Sequence, residues 1–209
     1  LPICAGRTAA LTGAAMTGAP EPQPEDQYRL FVALELPEAV RAELERAPQR
    51  LRREVSGGLI RWARPDQLHL TLRFLGGVQA GRVPALVQAL HQACRPFPAL
   101  SMRAAGIGFF PNARRPRVIW AGVADMREQL APLAAAVTQA TLAFSSEPPE
   151  ARFAGHITLG RVKELSSVET ARLAQAAERE AGRLYGDWVA REIALVRSRL
   201  AATGSIYSR

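Results

Sequence analysis

The chain has 209 residues, 48% hydrophobic and 22% charged, a composition that suits one large domain or two small lobes around a sizeable core. Its formal charge of +8 favours anionic partners, and no apolar run is long enough to span a bilayer. The two cysteines, Cys4 and Cys94, have neither CxxC nor metal-ligand spacing, so neither a zinc site nor a disulfide framework is supported and a reducing cytoplasm fits.

Residues 1–27 read as a tail of Gly, Ala, Pro and acidic residues without apolar periodicity, and they lack the order of segments a signal peptide needs. Order is expected from Tyr28. The spacing predicts a strand over 28–36, then a helix over 37–55 that starts at Pro37 and aligns Val40, Leu44 and Leu51 on one stripe. A short strand and turn follow over 59–67, a strand over 68–76 and a helix over 81–95 that ends near Cys94. Strands over 99–110 and 115–123 are separated by a turn at "PNARRP". A helix over 126–143 tolerates Pro132, a strand covers 151–163, and a helix covers 166–180 with Ser167 and Thr170 in its early turn. One last long strand is expected over 187–200. Strand pairs joined by short turns argue for antiparallel sheets, hence an α+β fold and not a parallel crossover pattern.

Two strands carry the same word. "HLTL" begins at His69 and "HITL" at His156, and together they use two of the chain's three histidines. Side chains two apart on a strand share a face, roughly 6–7 Å from each other. His69 therefore lies beside Thr71, and His156 beside Thr158, while Leu70, Leu72, Ile157 and Leu159 point into a core. If a pseudo-twofold brings the strands together, two imidazoles and two hydroxyls share one cleft. One ring can accept a proton while the other donates one, and the hydroxyls can hold an anionic oxygen. Arg161 has the opposite parity on a regular strand, and a bulge at Gly160 or the strand's end would turn it inward. This set suits the opening of a phosphodiester. A single H-x-T on a strand is more often a half-buried histidine beside a β-former; the repetition is what argues for catalysis. His91 lies on a helix without that context and reads as a surface residue. Metal binding by His69 and His156 lacks a third ligand, because neither motif holds an acid.

The stretches "RLFVALELP", "RWARPDQLHLTLRFLG", "RVIWAGV", "FAGHITLGRV" and the late "SRL" resemble, in order and spacing, the RNA 2′,3′-cyclic phosphodiesterases of the LigT type. These were formerly called 2′-5′ RNA ligases and belong to the 2H phosphoesterase superfamily. The resemblance runs from Tyr28 to the C-terminus. It implies a single bilobal domain over 28–209, made of two pseudo-symmetric lobes, each an antiparallel sheet with outer helices, around a central cleft. It implies opening of a 2′,3′-cyclic phosphate at an RNA end to a 2′-phosphate, with a weak, reversible 2′-5′ joining reaction and no metal or other cofactor. His69 would protonate the departing 3′ oxygen and His156 would activate water, while Thr71, Thr158 and Arg161 hold the phosphate. A cytoplasmic monomer acting on RNA ends, with no membrane partner, completes the expectation.

Three departures from the family pattern stand out. Gly155 replaces a frequent proline and is expected to loosen the approach to the second motif strand. The sequence stops at "GSIYSR", short of an expected final apolar strand, so the last sheet is expected to lack an edge, and the tail has no counterpart. Arg61, Arg64, Arg73, Arg114, Arg115 and Arg117 are candidates for tracking an RNA backbone, and Phe31, Phe109, Phe110 and Trp120 are weak candidates for stacking bases. Two other readings compete: a phosphodiesterase for a small cyclic-phosphate metabolite, and a non-catalytic RNA-binding module.

Overall fold

A computed structural model describes residues 27–201 and 204–208; the expected tail, apart from Gln27, lies outside the described residues. In chain order the elements are β1 (Gln27–Glu35), α1 (Glu38–Leu51), β2 (Ile60–Trp62), β3 (His69–Gln79), α2 (Val83–Cys94), β4 (Leu100–Phe110), β5 (Val118–Asp125), α3 (Leu130–Thr141), β6 (His156–Val162), α4 (Ser167–Arg179), β7 (Leu184–Ala190), β8 (Ala194–Ala201) and β9 (Gly204–Ser208). The fold is α+β, and its strand pairings are antiparallel.

The strands form one sheet in the order β7-β4-β5-β6-β3-β1-β8-β9, with β2 added beside β6. Read outward from the centre, the order is a mirror image. The two motif strands, β6 and β3, stand in the middle. Each is flanked by the strand that opens its half of the chain, β5 or β1, and each half is completed by strands from elsewhere. The helices cross over as well: α1 follows β1 but packs on β7 and β6, and α3 follows β5 but packs on β3 and α2. The pseudo-symmetric lobes are thus tied by both sheet and helices.

Local choices explain the elements. Val40, Leu44 and Leu51 are all buried, as the stripe on α1 requires. Helix α3 begins at Leu130, four residues later than expected, so Pro132 falls in the first turn, where a missing N–H removes no helical bond. Ser166 caps α4, accepting from the Glu169 N–H, while the Glu169 carboxylate accepts from the Ser166 N–H; the Ser166 hydroxyl, first among several donors, holds that carboxyl down at about 2. Strand β1 is covered on both sides. Leu30, Val32 and Leu34 join the main core, while Phe31 and Ala33 join Val196 in a second cluster on the other face.

Three expectations need correction. The last long strand is two: 187–190 belong to β7, beside β4, and 194–200 to β8, beside β1. Its apolar pattern continues across the break, with Ala190 and Ile193 both buried, so periodicity could not show the chain changing partners. The sheet does not lack the expected edge: Gly204–Ser208 form β9, paired with β8 from Ala201↔Gly204 to Arg197↔Ser208. Gly155 does not loosen β6. Its carbonyl accepts from the Val123 N–H at 3.0 Å, and a Cβ there would stand 2.7 Å from the Val123 oxygen.

Candidate active site

The site is organised by Leu70 and Ile157, which are Cα partners across β3 and β6 and are both fully buried. Carrying that register one residue either way sets His69 beside Thr158 and Thr71 beside His156, on the face opposite the core. The two histidines are then diagonal neighbours, a relation that puts Cβ atoms about 7–8 Å apart. Each imidazole has the other strand's threonine at its side.

Both motif strands are bulged just after the threonine. Ala33 pairs with Thr71 but Val32 pairs with Arg73, leaving Leu72 extra. Trp120 pairs with Thr158 but Ile119 pairs with Gly160, leaving Leu159 extra. A bulge resets parity, and this is how Arg161 comes to line the same cavity as Thr158. On β3 the corresponding position, five residues after His69, is Phe74, which is 45% exposed and lines the cavity too.

The cavity has a volume of about 670 Å³. Of the five expected site residues, His69, Thr71, Thr158 and Arg161 line it. His156 is not among the lining residues, yet it is close enough for its charge to act on His69. Each imidazole is held by aromatic rings. His69 stacks on Phe31 at 4.7 Å between centroids and meets Tyr207 edge-on at 5.3 Å. His156 meets Phe110 edge-on at 4.9 Å and has Trp120 at 6.4 Å.

Backbone carbonyls two residues upstream fix the ring nitrogens. His156 Nδ1 lies 2.8 Å from the Ala154 oxygen. A carbonyl only accepts, so Nδ1 carries the proton and Nε2 of the neutral ring is free to take one. His69 has the matching bond to the backbone of Gln67. Burial dominates its titration and lowers its pKa to about 4; the charge of His156 pushes the same way, and the Gln67 bond opposes both.

Of the arginine candidates, Arg61 and Arg73 line the cavity. Arg73 is buried and donates to the Pro148 oxygen at 2.7 Å, the Glu147 oxygen at 2.6 Å and the Ser145 hydroxyl at 3.0 Å. It straps the 145–148 segment to β3. Gly76 completes the joint: its φ is +68° and an added Cβ would stand 2.3 Å from the Ser146 hydroxyl. Arg64 is engaged by Asp66, and Arg114, Arg115 and Arg117 lie outside the cavity lining. Phe110 serves His156 while Phe109 packs on the core. His91 is exposed on α2 and remote from this lining, and Cys94 is a buried free thiol whose pKa burial raises to about 11.

Sequence reasoning passed over Phe74, Tyr207, Glu147 and Glu150, which all line the cavity. Phe74 had a signal, because it repeats the spacing of Arg161 from its histidine. Tyr207 was hidden by the dismissal of the strand that carries it. The two glutamates lie in a segment with no periodicity to read.

The family model described as LigT like Phosphoesterase matches residues 34–120 and 122–207. A protein of Thermus thermophilus named RNA 2′,3′-cyclic phosphodiesterase is 34% identical, over 86% of this chain and 86% of its own. One of Aquifex aeolicus with the same name is 26% identical, over 86% of this chain and 93% of its own. Among solved structures, E. coli LigT complexed with 3′-AMP superposes with a TM-score of 0.66 at 25% identity, covering 87% of this chain and 94% of that one.

Proposed function

This chain belongs to the family of LigT-like phosphoesterases, and on that footing we propose that it opens the 2′,3′-cyclic phosphate at an RNA end to leave a 2′-phosphate, using His69 and His156 as an acid–base pair. The reading rests above all on one observation: the two imidazoles stand diagonally across Leu70 and Ile157, each with a threonine alongside. Relatives named for this activity support it.

In this mechanism the phosphate lies between the strands, held by the Thr71 and Thr158 hydroxyls and the Arg161 guanidinium. Water attacks phosphorus from the His156 side. Its proton passes to Nε2 of His156, which is free because Nδ1 is bound to the Ala154 carbonyl. The P–O3′ bond breaks, and the departing oxygen takes the proton from His69, leaving the phosphate on O2′. Burial, which lowers the His69 pKa to about 4, favours its neutral form at neutral pH. His69 acquires its proton together with the anionic substrate, whose charge favours the imidazolium of this buried ring. As the P–O3′ bond breaks, the imidazolium passes this proton to the far more basic alkoxide. Run backward, the same proton transfers give weak 2′-5′ joining. The working form is a cytoplasmic monomer that needs no metal; the buried thiol of Cys94 fits a reducing compartment.

The test is incubation with an RNA ending in a 2′,3′-cyclic phosphate and identification of the product. A 2′-phosphate is expected, and an unchanged end or a 3′-phosphate would overturn the reading. Replacing the 3′ oxygen by sulfur separates the histidine roles, because a thiolate leaves without a proton. That substrate should rescue His69→Ala and not His156→Ala.

A further inference from the structure

Strand β2 places Arg61 where the reacting phosphate has no evident use for it. Arg61 is the Cα partner of Arg161 across β2 and β6. Directly opposed residues of an antiparallel pair share a face, and like charges so placed destabilise a sheet. Both guanidiniums face the cavity. No carboxylate pairs with either among the described residues, whereas Arg64 is held by Asp66 and Arg73 by carbonyl oxygens. Arg61 is also set on a rigid element. Ile60 beside it is buried in the core, and the Ala63 N–H bonds the Leu159 oxygen at 2.9 Å.

A charge count shows what this arrangement lacks. The charged side chains lining the cavity, besides His69, are Arg29, Arg61, Arg73 and Arg161 against Glu147 and Glu150, and Arg73 is committed to carbonyl oxygens, so cationic charge is in excess before substrate arrives. A cyclic phosphodiester brings one negative charge, which Arg161 answers. The last nucleotide of an RNA carries a second anion, the internucleotide phosphate on its 5′ side; a free nucleoside cyclic phosphate does not. We propose, resting on the cyclic-phosphodiesterase reading above, that Arg61 binds this upstream phosphate and thereby makes an RNA end a better substrate than a cyclic mononucleotide. Arg61 then determines specificity and takes no part in proton transfer. With both anions bound, each of the two opposed guanidiniums has its own counter-charge.

The experiment compares Arg61→Gln and Arg61→Lys with the parent on two substrates, a ten-nucleotide RNA with a terminal cyclic phosphate and the corresponding nucleoside 2′,3′-cyclic phosphate. Arg61→Gln should lower kcat/KM for the RNA about tenfold, the loss of one charge-assisted bond, and leave the mononucleotide within about twofold. Arg61→Lys should recover most of the loss. In parallel, fluorescence anisotropy follows binding of a labelled single-stranded RNA bearing a 3′-phosphate as salt is raised. The slope of log affinity against log salt should fall by about 0.7 in Arg61→Gln. Equal losses on both substrates would put Arg61 on the reacting phosphate and overturn the proposal, as would no loss on either. If the parent opens neither substrate, the phosphodiesterase reading fails. The binding arm still decides for Arg61, since an unchanged salt slope removes its upstream phosphate.

Discussion

Leu70 of β3 and Ile157 of β6 are each other's Cα partners, and theirs is the one such pairing between the motif strands among the described residues. Both are fully buried, so the contact that spaces the two histidines is an apolar one. Leu70→Ala or Ile157→Ala should cost about 2–5 kcal/mol, and Ile157→Val about 0.5–1.5. Urea unfolding gives these values. The alanine variants should also lose activity under conditions where they remain folded, and full activity in a folded Ile157→Ala would show that this contact does not set the site.

On the proposed mechanism, His69→Ala and His156→Ala each remove a partner in proton transfer, a step worth about 10²–10⁴-fold in rate. On the same proposal, Thr71→Ala and Thr158→Ala each remove one neutral donor from a phosphate that Arg161 and the remaining threonine would still hold, so their loss should be smaller than the about 10²–10³-fold of a solitary oxyanion donor. His91→Ala, exposed on α2, should match the parent. Single-turnover opening of a cyclic-phosphate RNA, with melting curves alongside, orders the five variants. A folded histidine variant with near-parental rate is the result that removes the pair.

The depressed His69 pKa makes a prediction about stability. The folded protein holds this imidazole neutral down to about pH 4, while the unfolded chain protonates it near the ordinary 6.5. Between those values the unfolded state binds the extra proton, so folding weakens as pH falls through that window and levels off below it. The full effect is on the order of 3 kcal/mol. It should appear as the difference between the parent and His69→Gln in urea titrations at pH 7, 6, 5 and 4. By the same linkage, phosphate binding should draw a proton onto His69 near neutrality, seen as buffer-dependent heat in calorimetry; a variant-independent heat would contradict it.

Substitution of Gly155 by alanine should destabilise, because its Cβ would meet the Val123 carbonyl oxygen at 2.7 Å and the Leu130 side chain at 3.0 Å. Gly57 has nothing within 4 Å of the same added atom. Its replacement by alanine should therefore be neutral or stabilise by about 0.4–1 kcal/mol, through the unfolded chain. Thermal melting of the two variants checks the contrast.

Activity should persist in excess chelator. Proton transfer here is assigned to two imidazoles and charge stabilisation to Arg161 and the threonines, which leaves no step for an ion. Loss of turnover that added divalent cation restores would refute this.

The motif strands were legible because each has an apolar back and a polar front, a pattern that survives without knowledge of the partner strand. Arg161 was legible only as a conditional, since its parity depended on a bulge that one sequence does not display. Phe74 was missed although it shares that spacing, because an exposed aromatic looks in sequence like a core one. The split between β7 and β8 was invisible because both flanks of the break are buried. Strand β9 was overlooked because its five residues lack the apolar run expected of a final strand, and with it went Tyr207, whose ring edges His69.

The mirror order of the sheet has a consequence for how the molecule comes into being. Strand β1 gains its second neighbour only from β8, through Leu30↔Arg197 to Ala33↔Ala194. During synthesis the first half therefore leaves the ribosome with an open β edge and an uncovered Phe31, and must wait for nearly all the rest. Such long-range closure is slow and leaves sticky surface exposed in the interval. Because Tyr207 reaches His69 from β9, the His69 ring acquires its final neighbour only with the last described strand. Neither half-chain released alone should yield a stable, soluble lobe, and joining the two as separate polypeptides should recover the fold only if they meet before each has aggregated.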